Sequence, residues 1–131
     1  MVKIVLAVLI LLLVPKCHAV TNGADAMHNC GLAVKLLDGD KSEATDDVGS
    51  IGKCMGMVEG VMNTLRQWEA SSKQHHSTLD DTACFPAHVT IEQAIRVSYK
   101  YMQDHPEQLH AAGSGLVYLA LTQAFPCKAQ P

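Results

Sequence analysis

The side chains with the widest chemical repertoire in this chain are its cysteines, at 17, 30, 54, 84 and 127, and its histidines, at 18, 28, 75, 76, 88, 105 and 110. A thiolate is a nucleophile and an imidazole is a general base or a metal ligand. The spacing of the histidines does not assemble either chemistry. His75 and His76 are adjacent in a polar stretch and fit solvated loop positions better than a weak transition-metal site, because no second pair stands at a ligand spacing. His105 and His110 flank "PEQL" and lie five residues apart, so they do not share a helix face as paired zinc-binding histidines do. His105 reads as the end of one helix and His110 as cover for a groove. His88 reads as a surface residue, and His28 carries no signal. "GSG" at 113–115 lacks the strand–turn–helix setting of a hydrolase elbow and reads as a small-residue helix contact.

The opening of the chain decides what the cysteines do. "MVK" is basic, "IVLAVLILLLV" is unbroken and apolar, and "CHA" ends in a small residue, the pattern of a secretory leader cut after Ala19. The apolar run is too short to span a bilayer comfortably. A lipid anchor at Cys17 is the rival reading, and Lys16 stands where such a site wants a small residue. Removal of the leader leaves a single domain, 20–131, with 8 basic and 13 acidic residues, formally −5. That balance argues against a nucleic-acid partner. Four cysteines remain, Cys30, Cys54, Cys84 and Cys127, and an even number in a small exported chain reads as a disulfide framework. Oxidised cysteines are not thiolate nucleophiles, so no catalytic residue, cofactor site or metal site is expected.

Elements that would position these cysteines follow from caps and apolar periods. A first helix is expected from about Ala24 to Leu37, stopped by "DGD". A second begins after Asp46 and Asp47, whose charge suits its dipole, and runs to about Ala70. A third opens at "TIEQ", with Thr90 as N-cap and Gln93 in a capping box, and buries Ile91, Ala94, Ile95, Ser98, Tyr101 and Met102. "DHPE" breaks it at Pro106. A fourth carries Leu109, Ala112, Leu116, Leu119, Ala120 and Ala124 and ends at "FPC". The expected fold is therefore all-α, a small disulfide-stapled bundle of about four helices. Four cysteines allow three connectivities. Antiparallel hairpins favour Cys84–Cys127, which precede the third helix and follow the fourth, and Cys30–Cys54, which lie in the first helix and near the start of the second across the loop between.

The second helix carries Gly52, Gly56 and Gly60, one on every turn, at a propensity loss of roughly 1 kcal/mol each. They read as a ridge for close approach of a neighbouring helix, with a seam between two subunits as the alternative. Met55, Met57 and Met62 read as core filling, with an adaptable binding face as the alternative. Trp68, the only tryptophan, borders the polar linker "SSKQHHSTLDD", 71–81, and reads as core or rim packing or as a partner anchor. Asp38, Asp40, Glu43, Asp46 and Asp47 read as a solvated acidic loop that would steer a basic partner.

Three blocks carry a resemblance: "CMGMVEGVMN" from Cys54, "CFPAHVTIEQAIRVSYKYMQDHPEQLH" from Cys84 to His110, and "LVYLALTQAFPC" from Leu116 to Cys127. In order and spacing they resemble the Rap/Tai family of periplasmic immunity proteins. Met57 stands where that family usually has an aromatic, and the 71–81 linker is idiosyncratic. The resemblance implies a small helical protein, often dimeric, that inhibits a peptidoglycan amidase delivered by the type VI secretion system by filling its substrate cleft. Partner contacts are expected on interhelical loops: first Trp68 with His75, His76, Asp80 and Asp81, then Gln103, Asp104, His105, Glu107 and His110. The alternative function is a structural or acid-stress chaperone-like periplasmic protein with no dedicated toxin.

Overall fold

The computed structural model describes residues 21–40, 47–75 and 82–127, with side chains excluded at 73–75. Among these residues there are four α-helices: α1 (Gly23–Leu37), α2 (Val48–His75), α3 (Ile91–Asp104) and α4 (Gly113–Ala124), with a 3-10 turn at Pro106–Gln108. No described helix is long and apolar enough to cross a membrane.

Local chemistry sets the helix ends. The Asn22 side chain accepts a hydrogen bond from the Asp25 N–H at 2.9 Å and so caps α1. After Leu37 the chain turns at Gly39, whose φ of 88° is a left-handed conformation that suits glycine. Thr90 Oγ1 accepts from the Gln93 N–H at 3.2 Å, as the sequence predicts for α3. His105 ends that helix, donating its N–H to the Tyr101 carbonyl at 3.1 Å, and Pro106 opens the 3-10 turn.

All four helices touch one another. Their shared core consists of Ala26, Cys30, Leu32 and Ala33 from α1; Ile51, Cys54, Val58, Met62 and Leu65 from α2; Ala94, Ile95, Tyr101 and Met102 from α3; and Leu116, Val117, Ala120 and Leu121 from α4. The two expected disulfides are present. Cys30–Cys54 joins α1 to α2 with a Cα–Cα distance of 5.0 Å, and Cys84–Cys127 joins the segment before α3 to the segment after α4 at 4.8 Å. Beside the second disulfide the Phe85 and Phe125 rings pack at 5.2 Å. The Arg66 guanidinium lies 5.5 Å from the Phe85 ring centroid and donates to the Val89 carbonyl at 3.1 Å, which ties α2 to this end of the bundle.

Three sequence expectations are corrected. Gly52, Gly56 and Gly60 are exposed, and a Cβ at any of them would meet nothing within 4 Å, so they are not a seam inside the bundle. Spacing by four puts them on one stripe, but the stripe that faces the core is the one through Ile51, Cys54, Val58, Met62 and Leu65. Helix α2 also runs five residues past Ala70, to His75. Loss of the apolar period after Leu65 marks the loss of a buried face rather than the end of the helix, because Ser71–His75 contains no breaker. In α4, Leu109 precedes the helix, Ala112 is its N-cap, and Leu119 (37% exposed) and Ala124 face outward. The turn at 106–108 and the antiparallel bridge between Asn22 and Ala112 use the residues that the pattern assigned to a first helical turn. Of the methionines, Met62 is in the core, Met57 packs on its edge and Met55 is 43% exposed.

Candidate protein-binding site

Trp68 is 53% exposed, whereas the described phenylalanines and tyrosines are buried or half-buried, and helix geometry explains why. Helix α2 has 28 residues and spans about 42 Å, whereas α1, α3 and α4 have 15, 14 and 12. Its last buried residue is Leu65. Beyond it, every described side chain of α2 is exposed or half-buried, so none of them belongs to the core.

Trp68 borders an open groove of about 300 Å³ between α2 and α4, lined by Gly60, Val61, Thr64, Leu65 and Trp68 on one side and Ser114, Gly115 and Tyr118 on the other. Gly60 and Gly115 add no side chain to it, and this leaves the slot open between two aromatic rings. An exposed tryptophan beside an apolar slot has the composition of an interface anchor, with large apolar area and one N–H donor. "GSG" has two roles here. Gly113 makes the expected helix contact, since a Cβ there would stand 2.6 Å from Ala26 Cβ, while Gly115 opens the groove. The sequence reading singled out Trp68 but not Gly60, Gly115 or Tyr118 as its companions. Gly60 and "GSG" were the available signals.

The second expected surface, 103–110, is a rigid turn. Tyr101 stacks on His105 with centroids 4.1 Å apart and donates its hydroxyl proton to Gln108 Oε1 at 3.1 Å. His105 Nδ1 lies 2.9 Å from the Tyr101 carbonyl, which only accepts, so Nδ1 carries the hydrogen. The imidazole therefore holds the helix end. Asp104 pairs with Lys100 at 2.9 Å in a solvent-exposed i,i+4 bridge of small energetic weight. Gln103, Glu107 and His110 are exposed, and none of residues 103–110 lines the Trp68 groove. The two expected surfaces are thus separate. His75 ends α2 with its side chain outside the described residues, and His76, Asp80 and Asp81 lie outside them altogether.

Of the acidic group, Asp38 pairs with Arg96 at 2.7 Å across the surface of α1 and α3. Asp47 accepts from the Ser50 N–H at 3.3 Å at the start of α2, and its pKa is lowered below the usual carboxylate value first by hydrogen bonding with the Ser50 side chain and then by this backbone bond. All four described cysteines are oxidised, and no group of three His, Cys, Asp or Glu side chains among the described residues is placed to hold a metal ion.

The described residues thus form a disulfide-stapled helical scaffold with an open groove between Trp68 and Tyr118 on its surface. Residues 22–127 match the family described as Rap1a immunity proteins, and the chain belongs to that family. No curated protein and no solved structure matches it.

Proposed function

We propose that the chain is an immunity protein that acts in the periplasm, after cleavage of its leader behind Ala19, by binding a peptidoglycan amidase delivered by a type VI secretion system and occluding its active-site cleft. Membership of the Rap1a immunity family over residues 22–127 carries this reading. The end of α2 supports occlusion as the means. The described side chains of α2 beyond Leu65 lie outside the core, with the exposed Trp68 among them, so they are open to a partner's cleft, and the disulfide-clamped bundle behind them limits the entropy lost on binding. The partner surface is the Trp68 groove with the end of α2, and the 103–110 turn lies outside it. Homodimer formation is part of the same proposal.

The test is capture on immobilised, oxidised mature chain from the type VI secreted proteins of the producing strain. Recovery of one amidase, lost on Trp68→Ala, is the expected result. Acid-dependent capture of many unrelated proteins would replace this reading with the chaperone one. Light scattering on the mature chain alone reads the dimer.

A further inference from the structure

We propose that the Cys84–Cys127 disulfide is a redox switch: a dithiol reduces it while the bundle stays folded, and its opening loosens the end of α2 that carries Trp68. The bearing of the switch on partner binding rests on the reading of that end as the partner surface. The device itself is a property of the chain alone.

The two disulfides differ in what covers them and in what they hold. Cys30 and Cys54 are completely buried, whereas Cys84 and Cys127 are both half-buried. A thiolate must reach a sulfur to exchange with it, so access sets the order of reduction. Cys30–Cys54 becomes accessible when the bundle unfolds, a state populated at about one part in a thousand or less in a domain of ordinary stability. Cys84–Cys127 needs no such opening. Its cysteines also lie outside the helices, one in the segment before α3 and the other in the segment after α4. Without the sulfur bond, three weaker contacts join these segments. The Cys84 N–H donates to the Phe125 carbonyl at 2.9 Å, Ala83 and Pro126 form an antiparallel bridge, and the Phe85 and Phe125 rings pack at 5.2 Å. Core residues of α3 and α4 such as Ile95, Met102, Val117 and Leu121 belong to neither segment, and Cys30–Cys54 still clamps α1 to α2. Reduction therefore releases the two segments as a local unit rather than the bundle.

Arg66 carries the change to α2. Its guanidinium lies 5.5 Å from the Phe85 ring centroid and donates to the Val89 carbonyl at 3.1 Å, so both contacts fall on the segment that the disulfide pins. Arg66 directly follows Leu65, the last buried residue of α2, and Trp68 stands two residues further on. While the disulfide is closed, the segment holds Arg66, and Arg66 holds the part of α2 that lies outside the core. Once it opens, Phe85 and Val89 no longer present a fixed ring and a fixed carbonyl, and the helix frays more freely past Leu65.

The reductant is a dithiol. One of its thiolates attacks a sulfur of the Cys84–Cys127 bond, forming a mixed disulfide and expelling the other cysteine as a thiolate, which takes up a proton. Its second thiolate then displaces the remaining cysteine, which is protonated in turn. The protein disulfide gains two electrons and two protons, and the dithiol is oxidised to its own disulfide.

The experiment treats the folded, oxidised mature chain with dithiothreitol, traps free thiols with iodoacetamide and locates them by peptide mass spectrometry. Labelling of Cys84 and Cys127 at least about a hundredfold faster than that of Cys30 and Cys54 is expected from the difference in access. Hydrogen exchange on the singly reduced chain should then accelerate about tenfold at the amides of 66–70, as expected from loss of a cation–π contact and a charge-assisted hydrogen bond. Arg66→Gln separates the switch from its transmission. Arg66 is exposed, so the variant leaves the core filled; its Cys84–Cys127 bond should be reduced at the parent rate, while exchange at 66–70 is fast before reduction and unchanged by it. Resistance of Cys84–Cys127 to reduction, reduction of both disulfides together or of Cys30–Cys54 first, exchange at 66–70 that ignores reduction in the parent, or equal acceleration in Arg66→Gln would overturn the proposal. No readout involves an effector, so failure of the amidase reading leaves these outcomes unchanged.

Discussion

Removing the two disulfides one at a time separates chain entropy from packing. Cys30–Cys54 and Cys84–Cys127 span sequence separations of 24 and 43 residues. In the chain-entropy model their loss costs about 3.5 and about 4 kcal/mol respectively, which makes the longer loop the more valuable. Burial reverses that order. Cys30 and Cys54 are both completely buried, whereas Cys84 and Cys127 are half-buried and open to refilling by water. Deleting two sulfurs from a packed interior adds about 1 kcal/mol for each void left behind. The Cys30→Ala/Cys54→Ala variant is therefore expected to lose about 5.5 kcal/mol and Cys84→Ala/Cys127→Ala about 4 kcal/mol. Against a typical domain stability of roughly 5–15 kcal/mol, the first loss is enough to unfold a domain at the lower end of that range. Urea unfolding of the oxidised mature chain and both variants at room temperature measures these differences, with larger m-values expected for the variants because their unfolded chains are less constrained. If Cys84→Ala/Cys127→Ala proves the more destabilising, or if either pair costs less than about 1 kcal/mol, the assignment of these crosslinks as the clamps of the bundle is wrong.

Other consequences are local. The Ser98 hydroxyl is completely buried without a hydrogen-bond partner, so Ser98→Ala is expected to raise stability by about 1 kcal/mol in urea unfolding. Gly56→Ala, on the open face of α2, should stabilise by up to about 1 kcal/mol through helix propensity. Gly113→Ala should instead cost about 1–3 kcal/mol, because its Cβ would stand 2.6 Å from Ala26 Cβ and 3.2 Å from two backbone oxygens. The folded-state pKa of Asp47 is lowered, so its contribution to stability is present at neutral pH and is lost as pH falls below the unfolded carboxylate value of about 3.9 and through the folded one. Melting curves of Asp47→Asn and the parent chain should accordingly differ at neutral pH and converge in strong acid. Trp68→Ala, at a site 53% exposed, should leave the melting temperature nearly unchanged while weakening effector binding at least about a hundredfold in calorimetry, as interface tryptophans do.

The scaffold was legible wherever a short-range signal coincided with a long-range constraint. Thr90 capped α3 as predicted because the bond from Gln93 lies within one turn. The cysteine pairing followed once the helices were ordered, since each pair bridges two consecutive helices or the segments that flank them. The glycine ladder misled because periodicity shows which residues share a stripe but not whether that stripe meets protein or solvent. Leu109 and Leu119 satisfied an apolar period, yet the bridge from Asn22 to Ala112 delayed α4 until Gly113. The polar end of α2 carries no apolar face to mark it as helix in the sequence, and it contains no breaker that would end one. The exposure of Trp68 and the slot beside it depend on Gly60 and Gly115, which are distant in sequence and meet only when α2 and α4 pack. No local pattern contains that juxtaposition.

The central claim is that this bundle binds an effector amidase and closes its cleft. Turnover of purified peptidoglycan by a type VI amidase of the producing strain, measured against increasing oxidised mature chain, tests it most directly. The account predicts activity falling linearly to zero at one chain per enzyme, with Trp68→Ala shifting the titration to large excess. Undiminished hydrolysis in the presence of excess folded chain would contradict it.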